Sequence, residues 1–467
     1  MEGGILGKIV WINLSKGTIK VIEPDKSLYE QFLGGYGIGV KLIYDKQKSG
    51  VHPFDPDNIL GFATGPLTGT PAPSSSRYTV MGKSPLTGTW GDANSGGFFG
   101  PALKRAGYDG IFFEGVSSEW VYLLIGDGKI ELNDATPHVG LDTNELEDRM
   151  KEELGSNIRI ASIGPAGEKC SLLACIINDK WRAAARSGLG ALMGSKKLKA
   201  VVVKDKGKIP LANEEMAKSL RQKLIAEYKQ SPTFQLLSSF GTCGVTAMFV
   251  ASGESPVKNW AGVSDEDFPN AAAISDQSVI NYQKKKYACF GCPIACGGEV
   301  KVENEPYACE THKPEYETLS ALGPLCLNDN LESIIKINDI CDRAGLDTIS
   351  VGTAIAFSIE CYENGILSKD DTDGIELTWG NHQAIVTMSE KIARREGLGE
   401  LLADGVQRAS QRIGKGSEHF AMHLGGQEIP MHDPRNTPGY GTSYCTDATP
   451  ARHMQGGSAF LEGGFVI

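Results

Sequence analysis

Residues 199–224, KAVVVKDKGKIPLANEEMAKSLRQKL, change character halfway along. Up to Lys204 the run is β-branched and of strand length, whereas after Asn213 the apolar residues Met216, Leu220 and Leu224 recur at helical spacing. Between them Lys204–Pro210 (KDKGKIP) is polar and contains Gly and Pro, the composition of a linker. Asn213 suits an N-cap, and Glu214 and Glu215 favour a first helical turn. The switch predicts an α+β protein: a β-rich N-terminal domain over 1–208, followed by mainly α-helical domains.

Outward from that stretch the pattern holds on both sides. Upstream lie short runs rich in β-branched and aromatic residues, KIVWINL, TIKVIE, NILGFATG, RYTVMGK, GIFFEGV and IRIASIG, separated by turn signals. Val121–Leu132 (VYLLIGDGKIEL) is the clearest hairpin, because Asp127-Gly128 suits the positive backbone angles of a type I′ turn. Two helices, at 27–33 and 143–154, are expected to interrupt this domain. Downstream, 209–415 is expected to be a helical domain, with helices at 329–344 ended by Gly345, at 348–364 ended by Gly365, and at 382–395. From 413 the chain is rich in glycine and turns, and 416–467 is expected to begin a third domain.

A chain of 467 residues has room for two or three domains and a sizeable core. The 46 basic and 57 acidic residues leave a net charge of -11 with no block of five like charges, which argues against a nucleic-acid or anionic-membrane surface. No stretch approaches ~18 uninterrupted apolar residues, and the N-terminus lacks a secretory pattern. The expectation is a soluble cytoplasmic protein. Two glycine groups resemble dinucleotide loops, but Gly164-Pro-Ala-Gly167 lacks the full pattern and Gly35-x-Gly37-x-Gly39 follows an expected helix instead of a strand.

Of the 11 cysteines, three are packed as Cys289-x2-Cys292-x3-Cys296. Three thiolates at these spacings, with Gly291, Gly297 and Gly298 letting the backbone wrap closely, suit three corners of a 4Fe-4S cluster. Zinc and three structural cysteines are the competing readings; zinc would need a fourth nitrogen or sulfur ligand. Lys284, Lys285 and Lys286 precede the run, offering either a docking patch for an acidic electron carrier or a solvated turn.

The wider motifs identify a resemblance. Gly65-Pro-Leu-Thr-Gly-Thr70, Ser76-Arg-Tyr78, Lys83-Ser-Pro-Leu-Thr-Gly88, Asn94-Ser-Gly-Gly-Phe-Phe-Gly100 and Leu103-Lys-Arg-Ala-Gly-Tyr-Asp109 occur in order. Ile163-Gly-Pro-Ala-Gly-Glu168, Asn178-Asp179, Arg182-Ala-Ala-Ala-Arg186, Pro314-Glu-Tyr-Glu317, Asp342-Arg-Ala-Gly-Leu-Asp347 and Asp447-Ala-Thr-Pro-Ala-Arg-His453 come after them. Together they resemble the tungsten-pterin aldehyde ferredoxin oxidoreductases over nearly the whole chain. The resemblance implies tungsten, or less often molybdenum, held by two molybdopterins, with a 4Fe-4S cluster on Cys289, Cys292 and Cys296 as the electron exit. It implies aldehyde oxidation to carboxylates, ferredoxin or another electron-transfer protein as partner, and a homodimer as a candidate assembly. Arg77, Asn94, Ser95, Gly96, Arg182, Ala183, Arg186, Asp342, Gly345, Leu346 and Asp347 are the implied cofactor residues. Guanidinium groups suit pterin phosphates, and carboxylates suit a pterin's N–H edge; Asp347 also suits an N-cap. Glu317 and His453 are the implied catalytic pair, the first as base and the second orienting the carbonyl.

Two departures accompany the resemblance. Lys336 stands where some members carry a glutamate for a dimer-bridging iron, so no such iron is expected. The family's fourth cluster cysteine and second pterin aspartate lie beyond the match to His453, so truncation within the third domain is expected; Cys309 and Cys445 lack a matching context. A related reductase of an aromatic acid or acyl thioester, and a non-catalytic cofactor-binding remnant, are the other functional readings.

Overall fold

The computed structural model describes residues 3–204, 207–455 and 462. Residues 205 and 206 of the expected linker, and 456–461 and 463–467 of the expected third domain, lie outside the described residues. The chain forms two compact units, one of Met1–Gln235, Ala288–Ala295 and Asp342–Gly345, the other of Leu236–Tyr287, Cys296–Cys341 and Leu346–Ile467.

The first unit is built on two six-stranded sheets. One uses β1 (Ile9–Asn13), β2 (Thr18–Ile22), β3 (Leu60–Thr64), β4 (Tyr78–Lys83), β5 (Trp90–Ser95) and β6 (Gly110–Glu114), in the order β2-β1-β6-β3-β4-β5. The other uses β7 (Val121–Gly126), β8 (Lys129–Asp134), β9 (Ile158–Ser162), β10 (Ile176–Asn178), β11 (Arg182–Ala184) and β12 (Leu198–Lys204), in the order β11-β10-β9-β12-β7-β8. Each sheet contains one parallel pair, β1 with β6 and β12 with β7, among antiparallel neighbours. Val10, Phe62, Val80 and Phe113 from the first sheet join Leu123, Ile125, Val201 and Val203 from the second in one core. The sheets therefore pack face to face, and their outer faces carry helices. Tyr36–Lys46 covers Ile9, Met81 and Phe112 through Ile38 and Leu42, while Thr143–Leu154 covers Ile160 and Val202 through Leu146 and Met150. Central strands such as β3, buried at every position, have apolar residues on both sides because both faces are covered.

The hairpin turns as its residues require, with φ of +51° at Asp127 and +80° at Gly128. Helices Lys26–Phe32 and Thr143–Leu154 lie where two were expected. Four more, Tyr36–Lys46, Phe99–Arg105, Pro165–Glu168 and Leu189–Ser195, interrupt the β region and correct that expectation. The first was hidden by its glycines, which depress helix propensity but permit close approach. A Cβ on Gly39 would stand 1.6 Å from Met81 Sδ, so helix backbone lies directly on the β4 side chain.

The second unit is mainly helical. Leu331–Ala344, Thr348–Glu363 and His382–Arg394 match the three expected helices within two residues at each end. Gly345 and Gly365, at φ +74° and +70°, come after the first two, as their positions predicted. A three-stranded sheet, Gln283–Tyr287, Gly297–Val302 and Cys309–His312, was not anticipated among the helices. Among the described residues, no single helix is long and apolar enough to cross a membrane.

Candidate active site

The first unit brings many of the expected cofactor residues to one corner. β5 ends in Asn94 and Ser95, and Arg77 immediately before β4 donates from Nη1 to Asn94 Oδ1. Asn178, at the end of β10, ties the corner together. Its Oδ1 accepts from Ser95 Oγ at 2.8 Å and from Tyr78 Oη at 2.9 Å, while Nδ2 donates to the Gly96 carbonyl at 3.0 Å. Its register partner on β11 is Arg182, and Ala183 pairs with Ile177. Arg186 lies just past that strand and is 8% exposed. A sequence motif contained Asn178, but only the fold shows that it joins two of the others.

The cysteine loop is laid on this corner. Phe290 N–H donates to the Gly97 carbonyl at 3.1 Å, and the Gly291 carbonyl accepts from Ser74 N–H and Arg221 Nη1, each at 3.2 Å. A Cβ on Gly96 would lie 2.9 Å from Cys289 Sγ, and Ser74 Oγ donates to Cys292 Sγ at 3.5 Å. Cys289 and Cys292 belong to the first unit and Cys296 opens a segment of the second. All three are part-exposed and none is in a disulfide, and the paired thiols of Cys289 and Cys292 suit metal donors. The lysines before the loop are largely engaged: Lys284 and Lys285 pair with Glu303 and Glu299 at 3.6 and 3.3 Å, and Lys286 Nζ donates to the Ser238 carbonyl.

Asp342, Gly345, Leu346 and Asp347 form the turn after Leu331–Ala344. Gly345 N–H donates to the Asp342 carbonyl at 3.3 Å and Leu346 N–H to the Cys341 carbonyl at 2.8 Å, the paired closure that a left-handed glycine permits. The Gly345 carbonyl accepts from Cys175 N–H at 2.9 Å. Asp342 is 8% exposed and lies in the last turn, where the helix dipole disfavours a carboxylate. Asp347 caps the next helix: its carboxylate accepts from Ile349 N–H at 3.2 Å and Ser350 Oγ at 2.8 Å. Gly164 abuts this turn, since a Cβ there would stand 2.3 Å from the Ala344 carbonyl. That glycine serves packing, in keeping with the rejected dinucleotide reading.

The expected catalytic pair meets in the second unit. Glu317 is in the first turn of Tyr316–Leu322, and its Oε1 lies 3.4 Å from His453 Nε2 and 3.3 Å from His432 Nε2. Its Oε2 accepts from Met431 N–H at 2.9 Å, and Tyr316 Oη binds the Met431 carbonyl. His432 was not among the expected residues. Its ring stacks on His453 with centroids 5.0 Å apart, its Nδ1 is 2.8 Å from Glu254 Oε1, and Tyr444 Oη donates to its carbonyl at 2.9 Å. Glu254 in turn accepts from Asn436 Nδ2 and Thr437 Oγ1, each at 2.8 Å. One clue was visible: the chain has only 8 histidines, and both of these lie in its turn-rich last stretch. Glu254 left no comparable signal.

Charge balance sets the state of this pocket. Burial works to raise the Glu317 pKa, but His453, His432 and the Met431 N–H outweigh it and hold it at about 2. For His432 burial works downward, yet Glu254 and Glu317 lift it to about 9. At neutral pH the arrangement is thus a carboxylate beside an imidazolium, with Glu254 also held below the ordinary range: burial opposes this, and His432, Asn436 and Thr437 overcome it. Ligand atoms of Glu317, His432 and His453 lie within 4.8 Å of one another, close enough to hold a proton or cation among them.

The chain is similar to known proteins along most of its length. Residues 9–205 match the N-terminal domain of aldehyde ferredoxin oxidoreductase, and 219–465 match its domains 2 and 3. The tungsten-containing aldehyde ferredoxin oxidoreductase of Pyrococcus furiosus is 40% identical over 458 residues, covering 97% of this chain and 74% of that protein. That of Thermococcus kodakarensis is 38% identical over 457 residues, with the same coverage. Among solved structures, the active site complex BamBC of benzoyl coenzyme A reductase with 1,5-dienoyl-CoA superposes with a TM-score of 0.85 at 29% identity, covering 97% of this chain and 70% of that one. With both domain descriptions matched along almost its full length, the chain belongs to the aldehyde ferredoxin oxidoreductase family and is an oxidoreductase.

Proposed function

We propose that this protein oxidises an aldehyde to a carboxylic acid at a tungsten centre held by two pterins, and passes the electrons through a 4Fe-4S cluster to ferredoxin. The observation that carries the reading is the Glu317 carboxylate set between His432 and His453. Per turnover one aldehyde and one water give one carboxylic acid, two protons and two electrons. When bound, the metal-pterin group accepts the electron pair and the cluster relays it singly. The donor set fits these groups: buried Arg186, with Arg182 and the glycine corner, suits phosphate, the Asp342 carboxylate suits a pterin's N–H edge, and the cysteine loop suits iron.

The chain's own residues manage protons and orientation. Glu317 is ionised throughout the working range and so stands ready to take the proton released as water adds to the carbonyl carbon. Being held at about 2 makes it a weak base, so a proton that it takes is passed on at once. Tyr440 and Tyr444, both with pKa values raised by burial, keep their protons and line the pocket as neutral donors. His453 orients the carbonyl oxygen. Metal analysis with an aldehyde-dependent dye-reduction assay tests the reading: tungsten, about four irons and turnover are expected, and iron without tungsten or turnover would overturn it.

The likeness to benzoyl coenzyme A reductase favours a second reading, reduction of an aromatic acyl thioester. The higher identity to the tungsten aldehyde enzymes supports the first reading over it. Turnover of benzoyl-CoA with a strong reductant, and none of aldehydes, would reverse that order.

A further inference from the structure

Lys313 is 1% exposed, among the most buried cations in the chain. Its ammonium donates to the Phe240 carbonyl, and among the described residues it forms no ion pair with a carboxylate. Such a charge is costly to bury unless something negative compensates it. Cys243, which shares the Phe240 carbonyl with it, is no help: burial pushes its pKa up to about 12, and its Sγ donates to that carbonyl at 3.0 Å, so it remains a neutral thiol.

Near the ammonium is also the main chain of the last cysteine of the loop. A methyl on Gly241 would stand 2.8 Å from the Cys296 carbonyl oxygen and 2.9 Å from Lys313 Nζ, so the side-chain space that the glycine leaves empty lies between the ammonium and the Cys296 main chain. At φ +79° Gly241 is also the residue type the backbone requires there. Burial disfavours the Lys313 ammonium, and the Glu315 carboxylate opposes this from beyond ion-pair distance.

We propose that Lys313 is a positioning residue for the iron-sulfur group, acting through Cys296 to stabilise its reduced form and so raise its reduction potential. The inference rests on the cluster assigned under the proposed function. Reduction adds one electron to the cluster and makes it one charge more negative; a fixed buried cation nearby favours that form without any proton moving. The reverse also holds: the cluster's negative charge is what makes a buried lysine tolerable at this point in the fold.

An EPR-monitored redox titration of the holoenzyme, with iron counted per chain, tests this on wild type, Lys313→Met and Lys313→Arg. The expected result is a midpoint displaced to more negative potential in Lys313→Met and close to wild type in Lys313→Arg. Loss of iron in Lys313→Met alone, with Lys313→Arg retaining it, would equally support a compensating charge. An unchanged midpoint in a fully loaded Lys313→Met, an equal displacement in both variants, or loss of iron from both would overturn it. Wild-type protein lacking iron would refute the cluster reading, and the inference with it.

Discussion

The glycine corner of the first unit and the histidine pocket of the second are built by opposite means. The corner is made of backbone: Gly96 and Gly97 bring a loop against a strand end, and neutral side chains such as Asn178 and Ser95 fix it by hydrogen bonds. The pocket is made of charge: Glu254, Glu317, His432 and His453 hold one another's ionisation states, with little main-chain support beyond Met431. A site of the first kind fails sterically, and one of the second kind fails electrostatically. Substitutions should separate them.

The largest effect is expected at the thiols. Cys289→Ser should lower the iron content measured by plasma emission and abolish aldehyde turnover, because a hydroxyl does not replace a thiolate toward iron. Next is the pocket's centre: Glu317→Gln with full tungsten and iron should lose about 10²–10⁴ in kcat, the span associated with general acid-base groups. Retained turnover would remove the proposed base. Both outcomes weigh on the function, whereas the next two weigh on the contrast itself.

His432, raised from 6.5 to about 9, contributes stability that is complete below pH 6.5 and lost as pH rises through about 9. The rise corresponds to roughly 3 kcal/mol. Thermal unfolding of the wild type should therefore weaken between pH 7 and pH 10, and Glu254→Gln should flatten that decline and move the basic limb of kcat/KM to lower pH. An identical pH profile in the variant would show that the pocket is not held by charge. At the corner, Gly97→Ala would place a methyl 2.2 Å from Asp179 Oδ2 at φ +86°. A loss of about 1–3 kcal/mol, independent of pH, is expected from the unfolding temperature. The smallest effect concerns the lysines before the cysteine loop. With Glu299, Glu303 and Ser238 already engaging them, raising salt should change the ferredoxin reduction rate less than about twofold, and a steep dependence would restore them as a docking patch.

The same contrast explains what could be read from the sequence. The corner's residues fall in contiguous motifs, Asn94-Ser-Gly-Gly97 and Asn178-Asp179 through Arg186, because strand ends and tight glycine approaches use neighbouring residues. The α+β class, the Asp127-Gly128 hairpin and three later helices were legible for a similar reason, since local periodicity determines them. His432 and Glu254 were not. They are 178 residues apart, and only the tertiary fold makes them partners. The helix Tyr36–Lys46 was missed because local propensity and tertiary packing disagree there, and packing prevails.

That helix has a chemical consequence. Met81 is fully buried, and its sulfur presses so closely on Gly39 that even a methyl finds no space. An oxygen added on the Gly39 side of the sulfur would meet that backbone, and the fully buried thioether is out of reach of peroxide from solvent. The glycine that disguised a helix therefore also shields a thioether from oxidants, and Met81 should be among the last methionines to react with peroxide while the unit remains folded.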